Sequence, residues 1–286
     1  MSARLLAWSH YLHAVRQAPL PSLDEPLRAS CRGNHRRVDR FIQLALLGAA
    51  RCATGRSLDP ACGLYLGSGL GPVGNNILVQ EQICRDHQVP RPFNFVNTLG
   101  SSATFYVAKE LGLEGQAWWA ARRGATLEAL LELALADLEL GVCRSALVGV
   151  VEECPAPYED QRLRIHAAPD ADMAEGSHWL LLEAESGPGP SGRLDADFGL
   201  DGPGLEAALA EAWAPGDTLA LGPELPADLA ARLRALARGP VLEGGYPVHD
   251  SLAGARATDW LRTLNQSRLQ IACGCLGNYA RIAVAA

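Results

Sequence analysis

The residues best suited to chemistry lie in one short polar turn, Asn97-Thr98-Leu99-Gly100-Ser101-Ser102-Ala103-Thr104. Ser101 and Ser102 precede a predicted helix, and a turn entering a helix is where serine acyltransferases and hydrolases present a nucleophilic hydroxyl. Such a serine needs a general base within hydrogen-bond reach and a group that orients the base. The G-x-S-x-G pattern is absent. We therefore favour the alternative, in which a serine oxygen caps the helix and stabilises it by about 1 kcal/mol.

A base for either serine would have to come from one of the seven histidines. His249, next to Asp250, is the weak candidate, although neighbours in a loop seldom point at each other and a loop or cap role is favoured. His178 lies in an apolar strand-like segment, where we expect a satisfied and partly buried ring. The remaining histidines, which show no metal-ligand spacing, are His10, His13, His35, His87 and His166.

Charge argues against nucleic acid as a partner. The 286 residues carry 25 basic and 32 acidic side chains, a net charge of -7, and Lys109 is the only lysine. A lysine-rich phosphate-binding stripe is therefore excluded. One arginine cluster could bind an acidic carrier protein or a phosphopantetheine phosphate through planar, bidentate contacts. We favour the alternative, in which these arginines form a solvated helix face. The cluster consists of Arg32, Arg36, Arg37 and Arg40.

The cysteines give no sign of a metal site or of a disulfide framework. They are scattered through the chain, and only Cys273 and Cys275 are close in sequence. Residues 1–17 lack the continuous apolar core of a secretory signal or a membrane span. A reducing cytoplasm is the expected compartment.

Apolar strands alternate with amphipathic helices along the chain. The predicted helices cover 41–52, 73–87, 103–111, 126–140, 203–213, 227–238 and 253–263, and the predicted strands cover 63–69, 145–151, 177–183, 218–221, 269–273 and 279–284. This alternation predicts an α/β protein with a largely parallel, covered sheet. The Gly-Pro-rich stretch 187–192 predicts a boundary between two domains, 1–186 and 193–286.

Four segments, in order, resemble motifs of the β-ketoacyl synthase family of the thiolase fold. Gly67-Ser68-Gly69 resembles the glycine turn after that family's early strand. The segments 141–152, 175–183 and 274–278 are similar to its G-x-x-x-x-A-L-V-G-G-V-E, GEGA-x-x-LVLE and G-F-G-G-x-N motifs. The resemblance, best over residues 35–185, implies two pseudo-symmetric halves with mixed, mostly parallel sheets in a layered α/β arrangement, the C-terminal half being shortened.

The chain departs from this family at its reactive groups. The family's nucleophile turn reads D-T-A-C-S-S-S, and Gly100 takes the place of the cysteine, whose thiolate the helix N-terminus would stabilise. The first histidine motif should fall near 221–224, where there is no histidine, and the second is similar to 248–255, which contains His249. Cys275 takes a place near that of the family's gating phenylalanine. The alternative is that Cys275 has no gating role and is only a small, packed thiol.

The resemblance therefore implies a non-catalytic subunit of the chain-length-factor type. Its implied partners are a catalytic ketosynthase and a phosphopantetheinyl acyl carrier protein, with no cofactor of its own, in fatty-acid, polyketide or aryl-polyene biosynthesis. The residues expected at the interface and acyl tunnel are Leu99, Gly100, Phe105 and Tyr106, Gly100 leaving room for a partner's acyl chain or side chain. Two alternatives stay open: a stand-alone serine acyltransferase or hydrolase using Ser101 or Ser102, and a docking scaffold with no tunnel role.

Overall fold

The computed structural model describes residues 1–15, 20–33, 35, 38–122, 125–164, 173–185, 192–222, 225–242, 268–275 and 277–285. The strands are β1 Ser2–Val15, β2 Gly63–Ser68, β3 Ala117–Ala121, β4 Ser145–Glu152, β5 Met173–Glu183, β6 Gly192–Leu200, β7 Thr218–Leu221, β8 Val241–Leu242, β9 Arg268–Cys275 and β10 Asn278–Ala285. The helices are α1 Asp24–Ser30, α2 Arg40–Cys52, α3 Val73–Cys84, α4 Pro92–Val96, α5 Gly100–Leu111, α6 Thr126–Glu139, α7 Tyr158–Arg164, α8 Gly202–Ala212 and α9 Ala227–Leu236. None of the helices described is both long and apolar enough to cross a membrane.

All ten strands form one mixed sheet in the order β3-β2-β4-β5-β1-β6-β10-β9-β7-β8. The pairs at the two ends are parallel, namely β3-β2, β2-β4, β9-β7 and β7-β8. The pairs between them are antiparallel. The sheet is thus parallel at its two ends and antiparallel at its centre, where β1 pairs with β6.

This strand order repeats about the centre of the sheet. The first half runs β1-β5-β4-β2-β3 outwards and the second runs β6-β10-β9-β7-β8, so that strands at equal distances from the centre have equivalent neighbours and directions. The second half is the shorter one. The α/β architecture with two pseudo-symmetric halves is confirmed. The expected mostly parallel sheet is wrong, because five of the nine described strand pairs are antiparallel. The domain division at 186/193 stays a prediction, since residues 186–191 lie outside those described.

Helix α6 lies at the centre of the largest hydrophobic core. Its buried face includes Leu127, Leu131 and Leu135, which belong to one cluster with β4 of the first half and with Ile271 and Ile282 of the second. Gly141, at φ 71°, follows its C-cap Leu140 as predicted. This single core includes residues of both halves, which also join directly where β1 pairs with β6.

The apolar elements agree with the predictions, and the differences lie where the pattern is weak. Strands β1, β3, β6 and β8 were not predicted, and neither were the short helices α1, α4 and α7. The predicted helix 253–263 lies outside the described residues.

Candidate functional site

The polar turn connects two helices. α4 ends at Val96, residues 97–99 form the turn, and α5 begins at Gly100. The backbone N–H of Leu99 donates to the carbonyl of Val96 at 3.2 Å, and that of Ser102 donates to the carbonyl of Leu99 at 3.0 Å. A strand-to-helix elbow, which would project a nucleophile, is therefore replaced by a tight helix-to-helix turn.

The favoured capping role of the serines is wrong in its details. Leu99 is the N-cap residue of α5, and no side chain caps this helix. Ser102 is buried, and its hydroxyl donates to the carbonyl of Val96 at 2.7 Å. Thr98 does the same to the carbonyl of Phe95 at 2.7 Å. Both hydroxyls therefore satisfy carbonyls at the end of α4, which have no intrahelical partner.

Gly100 faces the indole of Trp119, in the outermost strand β3. A Cβ placed on Gly100 would lie 2.0 Å from both Cε2 and Cζ2 of that ring. The indole is fixed in turn by Phe41 of α2, in an edge-to-face contact with 5.7 Å between ring centroids. The room expected beside Gly100 is thus occupied by the chain's own tryptophan, and a cysteine side chain would not fit without moving it.

A cavity of about 350 Å³ opens beside the turn, between α4 and α5. Its walls come from these two helices and the turn: Pro92, Phe93, Val96, Asn97, Ser101, Ser102, Phe105 and Tyr106. The rings of Phe105 and Tyr106 meet edge to face, with centroids 5.6 Å apart. The cavity therefore suits an apolar ligand or side chain.

The four predicted tunnel residues do not lie together in one place. Phe105 and Tyr106 line the cavity, whereas Gly100 is buried under Trp119. Leu99 is exposed in the turn. The structure thus gives the predicted tunnel residues different surroundings, and their role in a tunnel stays a prediction.

The cavity lacks the groups that a serine nucleophile needs. No histidine, carboxylate or lysine is among the described residues that line it. Ser101 is exposed and Ser102 is already bonded to the carbonyl of Val96. His249 and Asp250, and the Pro223-Glu224 part of the first histidine segment, lie outside the described residues. The described part of the chain therefore supplies no base for Ser101 or Ser102.

Two adjacent buried carboxylates at the end of β4 accept hydrogen bonds from the glycine turn after β2 and from the first turn of α3. Glu152 accepts from the Ser68 hydroxyl at 2.9 Å and from the Gly69 N–H at 2.5 Å. Glu153 accepts from the Gly74 N–H at 2.6 Å. Burial raises the pKa of Glu153 to about 8. Sequence analysis missed Glu153, although a second acidic residue directly after a buried strand was a readable signal.

The arginine cluster is only partly a solvated surface. Arg40 makes a bidentate ion pair with Glu175, with both N···O distances 2.6 Å, and the Glu175 side chain is fully buried. Nη2 of Arg40, one of the two nitrogens that bond to Glu175, also donates to the carbonyl of Pro21 at 3.0 Å. Arg36 and Arg37 lie outside the described residues. Arg40 therefore neutralises an internal carboxylate, which leaves it poorly suited to bind a carrier's phosphate.

His178 is more deeply buried than expected and has a ring partner. It lies on β5 directly opposite His10 on β1, and the two Nδ1 atoms are 3.1 Å apart. The expectation of a satisfied ring is confirmed.

The side chain of Cys275 lies outside what the structure describes.

Several solved structures of other proteins share the fold of this chain. The chain is similar to a chain of the ishigamide ketosynthase/chain length factor, with TM-score 0.69, 18% identity and 99% of each chain covered. It is similar to a chain of AntDE:AntF, a type II PKS acyl-carrier protein in complex with its ketosynthase bound to the hexaketide, with TM-score 0.68, 12% identity, and 100% of this chain and 99% of that chain covered.

A third solved structure is the ketosynthase ApeO in complex with its chain length factor ApeC from Xenorhabdus doucetiae. The TM-score is 0.55 and the identity 13%, with 99% of each chain covered. No protein-family model matches the sequence. No curated protein matches it either. At these identities the likeness establishes a shared fold over almost the whole chain.

Proposed function

We propose that this chain is a non-catalytic subunit of the chain-length-factor type, which pairs with a catalytic β-ketoacyl synthase and shapes the acyl tunnel of the pair. The observation that carries the proposal is the geometry at Gly100. The chain has the fold seen in ketosynthase–chain length factor structures. The place where a nucleophile would stand holds no side chain, and Trp119 fills the space.

The loss of catalysis is steric as well as chemical. An acyl transfer through a thioester needs a thiolate at the N-terminus of α5, with room in front of it for the thioester carbonyl. Gly100 supplies no sulfur, and Trp119 leaves no room. The chain therefore contributes shape to its complex, and its partner contributes the reacting groups.

The proposed contact surface is formed by β3 and the turn between α4 and α5. β3 is the outermost strand of the sheet and, in the part of the chain described, pairs only with β2. Such an edge can be extended by a strand of another chain. Trp118, Phe93, Phe95, Leu99 and Phe105 are all large, apolar and 47–62% exposed.

A partner of the same fold suits this surface best. Exposed apolar side chains beside a free strand edge mark a site of protein association. A ketosynthase that offers its own equivalent edge would continue the sheet across an approximate two-fold axis. The aromatic side chains of α4 and α5 would then be covered by the corresponding helices of the partner.

The proposed tunnel role rests on the cavity between α4 and α5. Phe105 and Tyr106 line it, and Leu99 lies in the adjoining turn, which supports the proposal that they form one wall of a tunnel in the complex. An acyl chain growing from the partner's cysteine would end against this wall. The acyl carrier protein that delivers the chain supplies the phosphopantetheine, this chain contributes no cofactor to the condensation, and the pair works in the cytoplasm.

Co-expression with a candidate ketosynthase tests the proposal. We expect a stable one-to-one complex on size-exclusion chromatography with light scattering. Trp118→Lys should break the complex, because it places a charge in the apolar contact. Leu163→Lys, at an exposed leucine of α7, is the matched control and should not. A stable homodimer that ignores the ketosynthase, or equal effects of the two lysine variants, would overturn the proposal.

Product length tests the tunnel role in the same complex. Phe105→Ala should allow longer acyl products, measured by mass spectrometry of the chains bound to the carrier protein. Tyr106→Phe removes only a hydroxyl and is the control. Unchanged products from an intact Phe105→Ala complex would instead favour the docking scaffold.

A further inference from the structure

Three metal-ligating side chains meet away from the site described above, where the end of α1 lies beside the last turn of α5. Cys31 is the C-cap residue of α1, His35 follows it four residues later, and Glu110 belongs to α5. One ligand atom from each, the sulfur, a ring nitrogen and a carboxylate oxygen, all lie within 4.8 Å of one another. We propose that Cys31, His35 and Glu110 form a binding site for Zn²⁺.

The donor set selects the class of metal. A thiolate, an imidazole and a carboxylate together suit Zn²⁺, whereas Mg²⁺ and Ca²⁺ prefer oxygen ligands throughout. Cys31 and His35 are separated by three residues, and the third ligand, Glu110, lies 75 residues beyond His35 in the chain. The sequence pattern alone indicated no metal site, because only the fold brings Glu110 to the other two ligands. Three protein ligands leave the fourth tetrahedral position to a water molecule.

The carboxylate is already oriented for this role. The backbone N–H of Arg32 donates to Oε1 of Glu110 at 2.5 Å, and that of Gly33 donates to Oε2 at 3.0 Å. Such bonds from surrounding groups fix a ligand and strengthen metal binding. Gly33 permits the close approach, since a Cβ there would lie 2.7 Å from Oε2 of Glu110 and 2.9 Å from Nε2 of His35.

In the structure, His35 and Glu110 bond to each other, and the Cys31 thiol lies 3.9 Å from the carbonyl of Leu46. Nε2 of His35 lies 2.8 Å from Oε2 of Glu110, a distance that one shared proton bridges. Burial, and after it the charge of Glu110, raise the pKa of the Cys31 thiol to about 12. On binding, Zn²⁺ forms bonds to sulfur, nitrogen and oxygen, and the thiol proton and any proton on His35 Nε2 leave to solvent. No electron is transferred.

The site would join two parts of the fold that are far apart in sequence. Cys31 and His35 would both be fixed to α5, the helix that begins at Gly100. The inference depends on neither a ketosynthase partner nor a tunnel, so its test and that of the proposed function succeed or fail separately.

The full-length chain, stripped with EDTA and dialysed, is titrated with Co²⁺ as a spectroscopic substitute for Zn²⁺. We expect one equivalent to bind with a thiolate-to-cobalt charge-transfer band, which Cys31→Ser abolishes. Cys84→Ser, at an exposed free cysteine, is the control and should keep the band. A cobalt spectrum with no thiolate band, or a band that Cys84→Ser removes, would overturn the assignment.

Competition with a chromophoric chelator then measures Zn²⁺ affinity. His35→Gln and Glu110→Gln should each weaken binding by about tenfold or more, while far-UV circular dichroism shows that they are folded. These variants also keep the test decisive should Cys31→Ser fail to fold. Zn²⁺ affinity equal to that of the unmodified chain in a folded His35→Gln variant would rule the site out.

Discussion

Gly100 and Trp119 form a packing contact that supports, at the level of single residues, the proposed non-catalytic role. The two lie 19 positions apart in sequence, yet a Cβ on Gly100 would fall inside the van der Waals surface of the indole. A side chain at position 100 and a tryptophan at position 119 exclude each other. Restoring a cysteine alone therefore does not restore a nucleophile with room for its substrate.

Gly100→Cys should lower the free energy of unfolding by about 1–3 kcal/mol, as overpacking of a rigid site does. Adding Trp119→Leu should recover part of the loss, since it removes the atoms that clash. Urea unfolding measures both. Gly202→Ala is the control, because a Cβ there meets only ordinary contacts at 3.8 Å or more. Equal costs for Gly100→Cys and Gly202→Ala would contradict the steric account.

Glu153 makes stability depend on pH. Burial raises its pKa from 4.5 to about 8. Asp39, near it, shifts in the same direction, to about 6, whereas Glu175 is neutralised by Arg40. A carboxyl whose folded pKa lies above its unfolded value stabilises the protein fully below the unfolded pKa. That contribution is lost as the pH rises through the folded pKa.

Glu153→Gln should therefore flatten the fall in stability between about pH 5 and pH 9. Its amide stays neutral throughout, so the largest gain over the unmodified chain is expected at the alkaline end. Chemical unfolding across this range is the measurement. Glu114→Gln, at an exposed carboxylate, should leave the profile unchanged. A profile equally steep with and without Glu153 would show that its carboxyl is not desolvated.

At the scale of elements, the turn between α4 and α5 depends on the hydroxyl of Ser102. α4 has only five residues and no buried side chain, so few contacts hold it. The bonds from Ser102 and Thr98 to its last carbonyls connect it to α5 and close one wall of the cavity.

Ser102→Ala should destabilise the chain by about 1 kcal/mol, the usual loss of one buried hydrogen bond. It should also increase amide hydrogen exchange in α4. Ser101→Ala, at the exposed neighbour, should do neither. A fluorophosphonate probe should label neither serine, since no described cavity residue can act as a base. Stoichiometric labelling of Ser101 or Ser102 would establish the hydrolase or acyltransferase alternative.

The missed strands have physical explanations. β6 reads Gly-Arg-Leu-Asp-Ala-Asp-Phe-Gly-Leu, and its buried Leu194 and Ala196 alternate with charged residues, so a period-two signal was present. β3 is five residues of alanine and tryptophan with no alternation, and tertiary context alone makes it a strand. β1 pairs with β5 and with β6, and its half-buried polar side chains conceal a strand at the centre of the sheet.

At the scale of the whole molecule, α6 makes the two halves one folding unit. Its apolar residues belong to a single core with strands from both halves. Unfolding one half would expose the core face of the other to water, at roughly 25 cal/mol per Å². The two halves should therefore unfold together.

Leu131→Ala should lower the free energy of unfolding by about 2–5 kcal/mol, since Leu131 is fully buried in this core. Calorimetry of the full chain should show one transition that shifts as a whole. Glu132→Ala, on the exposed face of α6, should stay within about 0.5 kcal/mol of the unmodified chain. Two transitions, only one of them shifted, would show that the halves unfold independently.

The sequence by itself determined the α/β class, the apolar strands and helices, a glycine at position 100 and the absence of a lysine-rich surface. Each of these is a property of one segment or of composition, because hydrophobic periodicity reports which face of an element is buried.

Only the tertiary structure decided what lies against those faces. Trp119 covers Gly100, Arg40 neutralises Glu175, and Cys31 and His35 meet Glu110 because the order and direction of the strands bring distant segments together. Local sequence carries no record of such long-range contacts. The sequence therefore showed a glycine at position 100, while the fold alone showed that the indole of Trp119 occupies the space where a side chain at that position would lie.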